Sequence, residues 1–339
     1  MKTRLGFAAI VVMGILVVCL VLIDGAFSTA TAQTARAKPE TNKLSIGVAV
    51  PALTYLPCWV ADQKGFLKQE GISDGKVLVF KGDADVLQAL TGGTVDISVS
   101  SLTGLIESIK AGQKFKAVWA GFNQPYFEWW ALPKYKSMAE TKGGRYAVTK
   151  FGALTDFLTR YALRQAGLDP EKDVKILALG GSPQSLPAME AGQIDVTILS
   201  VPANYVAAEK GFVRLMGMKD SIAADWPTHV IFAKEEYIAR NPNTIKAFLR
   251  ANGRAIDWIR ANPDEAAQIA SKTAKYKVEH CRKFLDEYRD YWYTDGQLPQ
   301  KGMKVFWEIA VQAGDVTEPW PDARWLDATF MKTQSQWRK

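Results

Sequence analysis

Ala89-Leu90-Thr91-Gly92-Gly93-Thr94-Val95-Asp96-Ile97-Ser98-Val99-Ser100-Ser101 has an echo in Ala188-Met189-Glu190-Ala191-Gly192-Gln193-Ile194-Asp195-Val196-Thr197-Ile198-Leu199-Ser200, at an offset of 99 residues. Each stretch reads as the end of a helix, a glycine stop, an aspartate and an apolar strand that closes on a serine. The same frame pairs Ala49 with Val148, Val77 with Ile176, Val79 with Ala178, Gly82 with Gly181 and Gly112 with Gly211. Self-similarity over that range means one α/β unit used twice, and two similar lobes imply a cleft between them. A chain of 339 residues is long enough to give each lobe its own apolar core.

Outward from the repeated strands, short apolar runs alternate with helical patterns. The first unit predicts strands over 44–50, 77–80, 95–99 and 115–122, with helices over 56–69, 84–90 and 102–110. The second predicts strands over 145–149, 174–179 and 194–199, with helices over 155–166 and 185–191. Strand, helix and parallel strand at this spacing give an α/β fold, each lobe a mixed, mainly parallel sheet flanked by helices. Beyond Gly211 helices dominate. Asn241-Pro242 and Asn262-Pro263 each read as an N-cap before a first-turn proline, and Ile245, Phe248, Leu249, Ile256 and Ile259 mark one apolar face. These helices are expected to close the first lobe, with chain crossings near 125–133 and 222–230. The expected division is 44–128 plus 229–339 for one lobe and 129–228 for the other.

Lys2 and Arg4 precede an apolar run over 5–23, followed by Ala30-Thr31-Ala32. That is the pattern of an export signal over 1–32, cleaved before a tether at 33–43, and it places the body in the periplasm. The run is also long enough to stay as an N-terminal membrane anchor. Without Lys2, Arg4 and Asp24 the formal charge changes from +7 to +6, a mild excess that favours an anionic ligand or nearby anionic lipid. The basic residues are scattered and no stripe interleaves with aromatics, so a nucleic-acid partner is excluded. After cleavage Cys58 and Cys281 remain, far apart and without metal-ligand spacing, and the chain has only His229 and His280. No metal or cofactor is expected.

In an open α/β lobe the strand carboxyl ends and helix N-termini face the crevice. The candidate contacts are therefore Leu53, Thr54 and Tyr55 within 51–55; Ser100 and Ser101; Asn123, Gln124 and Tyr126; Gly152, Ala153 and Thr155; and Pro202, Asn204 and Tyr205. Helix-start amides near Ser101 and Gly152 would take an anionic group, and the tyrosines would hold a flat body. Phe127, Trp129, Trp130 and Trp226 add aromatic surface, although strand alternation sends Trp129 and Trp130 to opposite faces, so at most one reaches the cleft. Asp96 and Asp195 read as structural carboxylates that accept bonds from a neighbouring helix or loop. Gly143-Gly144 and Gly180-Gly181 read as strand or turn punctuation. No Gly-x-Ser-x-Gly elbow, Walker loop, dinucleotide fingerprint or His-Glu-x-x-His occurs. The expectation is binding, not catalysis.

Over 44–271 the chain resembles the periplasmic substrate-binding proteins of the sulfonate, nitrate, taurine and thiamine-precursor ABC importers, the SsuA/THI5-like and NMT1-like group. The resemblance rests on Leu56-Pro57-Cys58-Trp59-Val60-Ala61 with Gly65-Phe66-Leu67, on Gly92-Gly93-Thr94-Val95-Asp96, on Gly192-Gln193-Ile194-Asp195, on Ala207-Ala208-Glu209-Lys210-Gly211-Phe212, and on Ala255-Ile256-Asp257-Trp258-Ile259 before Asn262-Pro263. It implies a type II-like clamshell, a monomer that closes on a small organic ligand, anionic or aromatic, and docks on an ABC permease with its cytoplasmic ATPase. It also implies ligand contacts in the five segments named above. Ala153 departs from the Gly-Ser or Gly-Thr that often begins this helix, which removes one hydroxyl from a sulfonate or nitrate site. Enzymes of the same fold, such as the pyrimidine synthases with their cysteine-rich motif, and ligand sensors are the alternatives; this chain has no such motif.

Overall fold

The computed structural model describes residues 37–338. The expected export signal lies outside them. No helix among the described residues is long and apolar enough to cross a membrane.

In chain order the strands are β1 (Lys43–Val48), β2 (Asp74–Val79), β3 (Ile97–Ser101), β4 (Phe115–Phe122), β5 (Phe127–Ala131), β6 (Arg145–Val148), β7 (Lys175–Ala178), β8 (Val196–Ser200), β9 (Val213–Gly217) and β10 (His229–Lys234). They form two five-stranded sheets with one plan, β2-β1-β3-β10-β4 and β7-β6-β8-β5-β9. Within each, the first three strands are parallel, and β10 or β5 inserts antiparallel between its neighbours. Helices flank both sheets, and the whole is the expected two-lobed α/β clamshell.

The repeat is real, but its frame slips by one residue. Val48 pairs with Val79 and Ile46 with Ile97 in the first sheet, as Val148 pairs with Ala178 and Tyr146 with Val196 in the second. The offset of 99 therefore holds from β2 to β7 and from β3 to β8, whereas β6 trails β1 by 100 residues. The counterpart of Val148 is Val48, not Ala49. The difference is absorbed in the β1–β2 connection, because a slip inside the strand would turn its buried side chains outward.

Asp96 and Asp195 hold twin positions under the corrected frame. The Asp96 amide donates to Ser45 O at 2.9 Å and its carboxylate accepts the Ser45 amide at 2.8 Å. Asp195 does the same with Arg145, at 2.8 and 3.0 Å. Each ties down the start of the first strand of its unit, and Asp195 also takes the Lys134 ammonium at 2.9 Å from the loop after β5.

The helix expected over 56–69 is broken into Leu56–Gln63 and Phe66–Gln69, because Gly65 takes a φ of +72° between them. The 20-residue helix Pro242–Ala261 buries Ile245, Phe248, Leu249, Ile256 and Ile259 and packs on Leu56–Gln63. Each such side chain contributes about 1.5–3 kcal/mol of burial. Asn241 and Asn262 hold the expected N-cap positions before Pro242 and Pro263, but their side chains make no capping bond. Their side-chain amides instead donate to Tyr237 O at 3.2 Å and Trp258 O at 2.9 Å, closing the preceding helices while the prolines open the next.

The chain leaves the first sheet after β4 and enters the second at β5; it returns through residues 222–228 into β10. The two crossings lie side by side. Thr228 Oγ1 donates to Gln124 O at 2.7 Å and the Trp226 amide to Asn123 O at 3.4 Å. Phe127 and Glu128 already pair with Ser200 and Leu199 in the second sheet.

Candidate functional site: an aromatic interlobe cleft

Both sheets aim their strand carboxyl ends at one cavity. The first sheet supplies Ala49 to Ala52 and Tyr55 after β1, Gly82 and Asp83 after β2, Ser101 at the end of β3, and His229 at the start of β10. The second supplies Thr149, Leu154 and Thr155 after β6, Gly181 to Pro183 after β7, and Ile198, Ser200 and Val201 around the end of β8. Tyr126 and Phe127 come from the first crossing, and Tyr276 from the loop after the helix Pro263–Ala274. The walls keep the repeat: Gly82 matches Gly181, Asp83 matches Ser182 and Ser101 matches Ser200. The cavity they enclose has a volume of about 60 Å³.

Aromatic faces dominate one side. Tyr55 stacks on His229 with centroids 4.3 Å apart, and Tyr126 stacks on Phe127 at 4.4 Å. His229 Nε2 meets the Tyr55 hydroxyl at 3.0 Å and the Tyr126 hydroxyl at 3.4 Å. Burial lowers the His229 pKa to about 3, so the imidazole is neutral, and burial raises both tyrosines so that they keep their protons.

Asp83 is the buried carboxylate of the wall. Its Oδ2 accepts the Ser101 hydroxyl at 2.8 Å and its Oδ1 the Ser101 amide at 3.2 Å. Burial raises its pKa, opposed by these bonds and by the Leu154 amide from the other lobe. The Gly152 amide donates to Asp156 Oδ2 at 2.9 Å. The helix-start amides at Ser101 and Gly152, expected to hold an anion from the ligand, are thus taken by carboxylates of the chain itself.

The fourteen sequence-derived candidates divide. Tyr55, Ser101, Tyr126 and Thr155 line the cavity. Thr155 Oγ1 accepts the Thr149 amide at 2.9 Å and fixes the loop that opens its helix. The others sit behind or beside the wall. Leu53 is in the core, Thr54 O accepts the Trp292 indole at 2.8 Å, and Ser100 Oγ meets Ser98 Oγ at 2.9 Å. Asn123 Nδ2 donates to Gln297 O at 2.7 Å, and Gln124 holds the crossing through its carbonyl. Gly152 takes a φ of +74° in the turn, Ala153 is the buried residue before the helix Leu154–Gln165, and Pro202 follows a cis peptide bond. Asn204 Nδ2 donates to Glu128 Oε2 at 2.9 Å, and the Tyr205 hydroxyl donates to Glu287 under the Lys283 ammonium. Trp129 and Trp130 do face opposite ways, and neither reaches the cleft: their indoles donate to Thr159 and Glu128.

Sequence reasoning missed Asp83, Ser182, His229 and Tyr276. One signal was available. Gly82 and Gly181 stand at the repeat offset immediately before helix starts, so they mark equivalent places on the two walls, with Asp83 and Ser182 next to them. Cys58 is no nucleophile: it is buried against Asn252, its thiol pushed up to about 12. Cys58 and Cys281 are both free. Among the described residues no group of three or more His, Cys, Asp or Glu could hold a metal ion.

A cleft between two repeated α/β lobes joined by adjacent crossings is the architecture of the solute-binding-protein clamshell. The aliphatic sulphonate binding protein SsuA from Escherichia coli has the same fold, with a TM-score of 0.66 at 18% identity over 85% of this chain and 92% of that one. The NMT1/THI5 like family pattern matches residues 53–266, and the chain belongs to that family. Among curated relatives, the riboflavin-binding protein RibY of Chloroflexus aurantiacus is 27% identical over 323 residues, 85% of this chain and 89% of RibY. YtlA of Bacillus subtilis is 22% identical over 230 residues, 64% of this chain and 66% of YtlA. The match to YtlA thus spans about two thirds of that relative.

Proposed function

We propose that this protein captures one small organic molecule with an aromatic or apolar body and at least one polar group, outside the cytoplasm, and hands it to an ABC permease as a monomer. The observation that carries the proposal is the pair of ring stacks, Tyr55 on His229 and Tyr126 on Phe127, in a cavity walled by both sheets. Flat apolar ligands gain from such faces, and an inorganic oxyanion does not need them. RibY supports an aromatic ligand by its name, and family membership supports import and a periplasmic location.

The lobes, taken as 44–126 with 229–339 and 127–228 because β5 belongs to the second sheet, would part and close about the paired crossings. Lys150 Nζ reaches Asp85 across the cleft at 3.4 Å, and His280 Nε2 reaches Glu209 at 2.7 Å on another side, contacts that form only when the lobes meet.

Calorimetry of the mature protein against a metabolite set should find one ligand at 1:1, recovered unchanged, with Tyr126→Ala weakening it at least tenfold. Turnover of that compound by the pure protein would instead establish an enzyme.

A further inference from the structure

Resting on the aromatic-ligand reading above, we infer that Asp83 makes the cleft selective for a cationic organic nitrogen, such as a protonated amine or an amidinium carried on a ring. Three observations converge on this residue. Its position at the first turn of the helix Asp83–Gly92 is matched in the second unit by Ser182, at the first turn of Ser182–Glu190. The α/β unit therefore tolerates a neutral hydroxyl there, and the carboxylate is an addition made on one lobe only.

The second observation concerns what the carboxylate occupies. It takes the Ser101 amide and hydroxyl, and the Leu154 amide faces it from the opposite lobe. These are donors that a bound oxyanion would use, so a ligand anion would meet a like charge in place of free N–H groups. Third, no lysine or arginine is among the described residues lining the cavity. The ammonium of Lys150, at the rim, is directed to Asp85 at 3.4 Å.

What remains is one buried carboxylate beside Tyr55, Tyr126 and Tyr276 without a cation of its own on the wall. A carboxylate buried there, held by hydrogen-bond donors but by no cation, gains from a cationic nitrogen, which favours its ionised form and gains in turn from the ring faces.

The test uses three ring-matched probes on the full mature protein: benzamidinium, benzyl alcohol and benzoate, titrated by calorimetry into wild type, Asp83→Asn and Asp83→Ser, the last copying Ser182. Thermal melts establish that each variant folds. Benzamidinium is expected to bind wild type at least tenfold tighter than benzoate, and both substitutions to cut that affinity at least tenfold while benzoate holds or improves. Benzoate binding as tightly as benzamidinium, or cation affinity unmoved in both variants, overturns the inference. Benzyl alcohol binding alone also overturns it but leaves the aromatic cleft standing, whereas no binding by any probe removes both.

Discussion

Replacing Asp195 with asparagine removes the charge from a carboxylate that accepts the Arg145 amide at 3.0 Å and Arg145 Nε at 2.8 Å and faces Lys134 Nζ at 2.9 Å. Burial opposes ionisation here, yet these donors outweigh it and hold the pKa down at about 2. A shift of just under two units corresponds to roughly 2.5 kcal/mol as an upper bound. The Lys134 and Arg145 side chains are 59% and 41% exposed, so solvent screens the interaction and about 1–2 kcal/mol is expected at pH 7. Because the native carboxyl is the stronger acid, its contribution is complete above the unfolded value of about 3.9 and is lost as pH falls toward 2, with roughly half left at pH 3. Urea denaturation of wild type and Asp195→Asn from pH 7 to pH 3, compared at equal m-values, reads the difference directly. Equal stability at pH 7, or a penalty that stays constant down to pH 3, would refute the assignment of that energy to the charge.

A Cβ at Gly302, in the helix Gln300–Gln312, would lie 2.6 Å from Asp225 O and 2.9 Å from Trp226 Cα, on the returning crossing, so Gly302→Ala should cost about 1–3 kcal/mol in urea; no loss would mean that this helix and the crossing are not packed together. Arg250 and Glu70 pair at 2.6 Å with both side chains buried, and Arg250→Ala should cost about 3 kcal/mol or more by leaving that carboxylate without its main cation. A loss within 0.5 kcal/mol, read by the same denaturation, would argue against that pairing. Cys58 and Cys281 are buried with thiols pushed up to about 12, so iodoacetamide at pH 8 should leave both unlabelled in the native protein and label both in urea. Small-angle scattering should give a smaller radius of gyration with saturating ligand, and an unchanged radius would remove the closure step.

The repeat made most of the architecture legible, because apolar strands preceded by a matched glycine and aspartate and closed by a matched serine recur wherever the α/β unit recurs. What it hid was the slip between β1 and β6: the constant offset of 99 sets Ala49 against Val148, although Val48 is the identical residue, and strand pairing reveals the shift. The site was legible as a set of segments and less so as side chains. Strand ends point at the crevice by topology, which placed Ser101 and Tyr126 on the wall. Whether Ser100 or Ser101, Thr54 or Tyr55, faces inward depends on strand twist and helix entry. Asn204 and Tyr205 look like ligand groups in sequence, but the residues that claim them, Glu128 and Glu287, lie 76 and 82 positions away. His229 and Tyr276 arrive from elements whose place beside the cleft follows from the return crossing, a tertiary fact that no local pattern carries.

The central claim is that the cavity between the repeated lobes holds a small organic molecule against Tyr55 and Tyr126. Native mass spectrometry of the protein purified without denaturation, run beside Tyr126→Ala, tests it most directly. A single small-molecule adduct at 1:1 is expected on wild type, released intact on unfolding and absent or strongly reduced on the variant. An adduct that persists undiminished on Tyr126→Ala, or an inorganic anion as the only bound species, would contradict it.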